Sequence, residues 1–108
     1  MKSIIQTDDT ICYLCGMPKP TDWHHVYNGS ANRRKSEADL IKIKVHRKCH
    51  EYIHSHELTD LSIKARCQDI WCEYYHKTDE DFIERYGINY KNKYQIKMGG
   101  RNGNQYDL

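Results

Sequence analysis

Two short pairs of residues have the spacing of a tetrahedral zinc site: Cys12-x2-Cys15 and His46-x2-Cys49. A two-residue gap lets both side chains of a pair reach one point, and two such pairs close a four-ligand structural site. Gly16 follows the first pair, where a positive φ turns backbone amides toward the thiolates. Arg47 and Lys48 stand ready to offset the excess negative charge of three thiolates. A second donor set interleaves with the first: His24, His25, His50 and His54. On a helix His50 and His54 share one face, while Cys49 lies ~100° around from His50, so the spacing sends Cys49 to one site and the two histidines to another. His24 and His25 are neighbours on an expected strand and point to opposite faces, so one can join His50 and His54 on a metal while the other meets a different part of the site. His56 and His76 fit no such pattern. Cys67 and Cys72 are poorly spaced to share a metal, and Cys67 lies on an apolar helix stripe, so both read as buried thiols.

The elements that must carry these ligands are short. Residues 1–11 form a lead-in with Ile4, Ile5 and Ile11 free to pack, and Met17-Pro18-Lys19-Pro20 breaks regular structure. Trp23 to Tyr27 reads as a strand and Asn28 to Arg34 as a loop. Ile41-Lys42-Ile43-Lys44-Val45 alternates strictly and reads as a strand with one buried and one cationic face. A helix is expected from His46 or Arg47 to about His56, and a second from Thr59 to His76. Thr78-Asp79-Glu80-Asp81 opens a third with a capping box, and Gly87 ends it. These elements place a single domain over residues 1–88, followed by a basic, partly flexible tail over residues 89–108.

Composition narrows the classes. The chain has 108 residues, 38% of them apolar, with a mean hydropathy of −0.95. Nine Tyr and two Trp argue against disorder. No apolar run approaches the ~18 residues of a membrane span, and MKSIIQTDD turns acidic too early for a secretory leader. Five Cys and seven His without such a leader point to metal ligation in a reducing compartment rather than to disulfides. Charge is uneven. Residues 28–50 hold Arg33, Arg34, Lys35, Lys42, Lys44, Arg47 and Lys48 against Glu37 and Asp39, whereas residues 51–86 are mostly acidic. A basic centre and a basic tail are what a phosphate-binding face looks like in sequence, with Arg33, Arg34, Lys35, Lys42 and Lys44 as the expected DNA contacts.

The double histidine, the basic stretch, the second strand and the Cys-His-x3-His helix, pinned by a zinc knuckle, together resemble the HNH endonucleases of the ββα-metal (His-Me finger) fold. His24-His25-Val26-Tyr27-Asn28-Gly29, Arg33-Arg34-Lys35-Ser36-Glu37, Cys49-His50-Glu51-Tyr52-Ile53-His54 and Asp81-Phe82-Ile83-Glu84-Arg85-Tyr86-Gly87 are similar to small HNH proteins of bacteriophages and prophages. The resemblance covers roughly residues 12–90. It implies an α+β fold: a ββα-metal core pinned by zinc, with two additional C-terminal helices. It implies His24, His50 and His54 as ligands of a catalytic divalent ion (Mg²⁺, Mn²⁺, Ni²⁺ or Zn²⁺), and His25 as the general base. The central Asn of the family has no counterpart at its usual distance before the second zinc pair, where Ile41 stands.

The expected function is therefore metal-dependent hydrolysis of DNA phosphodiester bonds in the cytoplasm of a bacterial host. Arg33 and Arg34 are placed to grip a phosphate bidentately, and Lys42 and Lys44 to follow the backbone. One such site cuts one strand per visit, so double-strand cleavage calls for a homodimer or a second event. The rival readings are a zinc protein that binds nucleic acid without cutting, and a phage protein that uses the acidic 51–86 surface against a host protein. The first of these has no use for converging His25, His50 and His54.

Overall fold

The computed structural model describes residues 2–99 as an α+β fold. Its elements are β1 (Asp22–His25), α1 (Ser30–Ala38), β2 (Lys42–Val45), α2 (Arg47–Ser55), α3 (Glu57–Tyr75), α4 (Asp79–Tyr86) and α5 (Tyr90–Lys97). No helix among the described residues is long and apolar enough to cross a membrane. β1 and β2 pair antiparallel, with Asp22 opposite Val45, Trp23 opposite Lys44, His24 opposite Ile43 and His25 opposite Lys42. Period-2 alternation puts Asp22, His24, Ile43 and Val45 on one face and Trp23, His25, Lys42 and Lys44 on the other.

The lead-in borders β2. Ser3 Oγ donates to the Lys42 carbonyl at 2.6 Å, and Gln6 Oε1 accepts from the Lys44 amide at 2.6 Å. The lead-in thereby satisfies backbone groups that β1 does not reach. The core gathers Val26, Tyr27, Ile41, Ile43, Val45, Ile53 and Leu61 with an aromatic group of Tyr27, Trp71, Phe82, Tyr86 and Tyr90. Cys67 is fully buried among them, as its place on the apolar stripe predicts. The capping box at Thr78 forms as expected, and Gly87 ends α4 at φ 88°, a backbone region that glycine enters without strain.

Three sequence expectations are corrected. Residues read as a loop from Asn28 to Arg34 instead lead into α1, so a helix stands between the two strands. Ala31, Arg33, Arg34, Lys35 and Glu37 are good helix formers, and they outweigh the turn signal of Asn28-Gly29-Ser30. The tail expected from residue 89 instead forms α5 against α3, so three helices, not two, follow α2. Gln68 is the reason: fully buried, it accepts the Tyr90 amide at 2.8 Å through Oε1 and donates to Asn89 Oδ1 at 3.1 Å through Nε2. Residues 100–108 of the expected tail lie outside the described residues. Third, the cationic face of β2 is not free along its whole length. Lys42 is only 1% exposed, and its ammonium lies 2.8 Å from Glu37 Oε2.

Asp39, which follows α1, ties it to α3 and α4. Its carboxylate accepts from Trp71 Nε1 at 2.8 Å, Arg85 Nε at 2.6 Å, Arg85 Nη2 at 2.9 Å and the Tyr86 hydroxyl at 2.7 Å. Asp39→Ala leaves all of these donors without their acceptor. We expect a loss on the order of 3 kcal/mol in urea denaturation, and a stability equal to wild type would show that the network is dispensable.

Candidate metal centres

The first donor set converges. The ligand atoms of Cys12, Cys15, His46 and Cys49 all lie within 4.8 Å of one another. Tetrahedral zinc with bonds of ~2.0–2.3 Å needs ligand atoms ~3.3–3.8 Å apart, and Cys15 Sγ and His46 Nδ1 already stand 3.4 Å apart. Cys12 and Cys15 sit on a tight turn closed by the Gly16 amide on the Cys12 carbonyl at 3.0 Å and the Cys12 amide on the Met17 carbonyl at 2.8 Å. Gly16 takes φ 78° there, as the sequence predicts. The turn is fastened to β2 by the Tyr13 amide on the Lys44 carbonyl at 3.0 Å. His46 and Cys49 come from the start of α2.

Hydrogen bonding selects the ligating nitrogen of His46. Nε2 lies 2.8 Å from the Pro18 carbonyl, which can only accept, so Nε2 carries the proton. Nδ1, 3.4 Å from Cys15 Sγ, is left for a metal. Burial acts to raise the Cys12 thiol, but the amides of Cys15, His46 and Leu14 outweigh it and bring it down to about 6. Cys49 is pushed up to about 12, first by burial and then by Cys12 and Cys15 beside it. Three thiolates in one small volume repel one another, and a divalent cation is the partner this chemistry asks for. The residues present fit a structural zinc ion.

The second set converges separately. His24, His50 and His54 offer ligand nitrogens within 4.8 Å of one another. Their ring centroids are 4.9 Å apart for His24 and His50, 5.3 Å for His24 and His54, and 4.8 Å for His50 and His54. His24 lies on the β1 face that carries Ile43 and is 3% exposed. Burial, followed by the neighbouring His50 and His54, pulls it down to about 4, so it is the neutral, ligating form at pH 7. Three imidazoles leave coordination positions open, unlike the closed knuckle.

His25 is the last residue of β1, on the opposite strand face from His24 and across the ladder from Lys42. Both histidines line one cavity of about 160 Å³, together with Trp23, Asn28, Arg33, His50 and His54. His25 Nε2 lies 2.7 Å from Glu37 Oε1 on α1. Of the expected DNA contacts, Arg33 reaches this cavity and Arg34 is exposed on the same helix. Lys35 is half-buried and donates to the Arg85 carbonyl at 2.7 Å, and Lys42 is corrected, since it is sealed under Glu37. Lys44 is half-buried, 5.5 Å from the Trp23 ring centre.

Two residues of the site escaped the sequence reading. Asp22 Oδ2 accepts from His50 Nδ1 at 3.1 Å and from Arg47 Nε at 2.6 Å. Arg47, then His50, hold the Asp22 carboxyl down to about 2. This contact keeps the His50 proton on Nδ1 and leaves Nε2 for a metal, the usual outer partner of a ligating histidine. Period-2 spacing from His24 was the available signal for Asp22. Glu37 was given no role, because the sequence reading assigned no element to the residues after Arg34 and so missed α1.

Elemental analysis of the folded protein should find zinc, and Cys12→Ser should leave the chain largely unfolded. Zinc binding supplies on the order of 10 kcal/mol in small zinc domains; well-folded, zinc-free protein would contradict this. Asp22→Ala should weaken Co²⁺ or Ni²⁺ binding at the histidine cluster about 10- to 100-fold in a titration while the knuckle keeps its zinc. Equal affinity in the variant would remove Asp22 from the site. Comparison with known protein families, with curated proteins and with solved structures finds no match to this chain, so the chemistry of the two clusters rests on their own geometry.

Proposed function

We propose that this chain is a metal-dependent endonuclease of the HNH, ββα-metal type that hydrolyses DNA phosphodiester bonds. The observation that carries the reading is the shared cavity: an open three-histidine cluster, a fourth histidine outside the cluster and an arginine, all facing one space. His24, His50 and His54 would hold a divalent ion, which when bound neutralises phosphoryl charge and stabilises the leaving oxygen. His25 takes a proton from water, whose oxygen then attacks phosphorus as the bond to the leaving oxygen breaks. Arg33 offers a fork of donors to a non-bridging phosphate oxygen, and exposed Arg34 extends the positive surface. The knuckle takes no part in the chemistry; it holds α2 where His50 and His54 face β1. A protein that only bound nucleic acid would have no use for an open histidine cluster beside an acid–base residue.

Plasmid incubated with Mg²⁺, Mn²⁺ or Ni²⁺ should be cut, and EDTA should stop the cutting. His25→Ala should fold, keep zinc and lose about 10²- to 10⁴-fold in rate, with no rescue by added metal. His54→Ala should recover in part when metal is raised. Rescue of His25→Ala but not of His54→Ala would reverse the assignment of base and ligand. A plasmid left intact under every metal would refute the nuclease reading.

A further inference from the structure

Glu37 makes two close contacts, one through each carboxylate oxygen. Oε1 lies 2.7 Å from His25 Nε2, and Oε2 lies 2.8 Å from Lys42 Nζ. Lys42 sits directly across the β1–β2 ladder from His25, and its side chain is 2% exposed. A buried ammonium holds its counter-charge firmly, because leaving it unpaired is costly. Although Glu37 is itself 46% exposed, its carboxylate is therefore not a free surface group. An ionised carboxylate can only accept a hydrogen bond, so the neutral His25 ring must carry its proton on Nε2.

We propose that Glu37, pinned by buried Lys42, is the positioning residue of His25: it fixes the proton on Nε2, orients the ring and leaves Nδ1 as the atom that accepts a proton from water. This inference rests on the nuclease reading of His25. It also gives the buried Lys42 a role that a DNA-contacting lysine could not have. The three side chains form a chain from the β2 interior, through α1, to the end of β1. In such an arrangement the carboxylate need not take the proton; it holds the imidazole in one tautomer and one direction.

The test compares the full-length wild type, Lys42→Met, and Glu37→Leu combined with Lys42→Met. The double variant removes the buried ammonium together with its counter-charge, so no unpaired charge is left in the interior. Zinc content and thermal unfolding of each variant establish that the fold persists. Two-bond ¹H–¹⁵N NMR spectra, with His25 assigned by its absence in His25→Ala, should show a single Nε2-protonated tautomer in wild type and in Lys42→Met. The double variant should show a mixture. On plasmid DNA the double variant should lose about 10- to 100-fold in kcat, with KM unchanged. A His25 ring that stays wholly Nε2-protonated in the folded double variant, or an unchanged kcat, would overturn the proposal. A wild type that fails to cleave would sink the nuclease reading alone, since the tautomer is measured without substrate and still decides whether Glu37 sets it.

Discussion

The position of α2 depends on the four-ligand knuckle. Of the nine residues in α2, only Ile53 is buried. Burying one such side chain contributes about 2–3 kcal/mol, whereas fixing the backbone of each residue costs about 1–2 kcal/mol. Apolar packing alone does not hold this helix. A metal held by His46 and Cys49 on one side and by Cys12 and Cys15 on the other would close the deficit, because zinc sites supply on the order of 10 kcal/mol. Once the start of the helix is fixed, the 100° step per residue does the rest: Cys49 belongs to the knuckle, and His50 and His54 turn toward His24 on β1.

The C-terminal helices act on the same site through α1. Asp39 fastens that helix to Trp71, Arg85 and Tyr86. Asn32 Nδ2 donates to the Tyr86 carbonyl at 3.1 Å, and Lys35 donates to that of Arg85. α1 in turn brings Arg33 to the cavity and Glu37 to His25. The four-residue knuckle thus positions the three-histidine cluster, and one polar network positions the face that carries Arg33 and Glu37. The polar network is itself seated on the core, since Trp71 and Tyr86 belong to the buried aromatic group.

The convergence of the two donor clusters was legible because metal binding demands fixed spacing: Cys12-x2-Cys15 with His46-x2-Cys49, and His50 with His54 one helical turn apart. The capping box at Thr78 and the stop at Gly87 were legible for the same reason: both are local rules. What could not be read were features set by long-range partners. Lys42 looks like a surface cation until Glu37 is known to lie over it. Residues 90–97 look like a tail until Gln68 is known to anchor Asn89 and Tyr90. α1 was hidden by the strong turn signal at Asn28-Gly29-Ser30, and with it went Glu37. Asp22 was within reach, since it lies on the same strand face as His24.

The central claim is that α2 carries two separate metal sites that divide at Cys49 and His50. Anomalous diffraction tests it most directly, on crystals of protein that carries only one equivalent of zinc and is then soaked in Mn²⁺, with data above and below the zinc and manganese absorption edges. The account predicts two distinct peaks: zinc among Cys12, Cys15, His46 and Cys49, and manganese among His24, His50 and His54. A single peak, or manganese bound anywhere other than the three histidines, would contradict it.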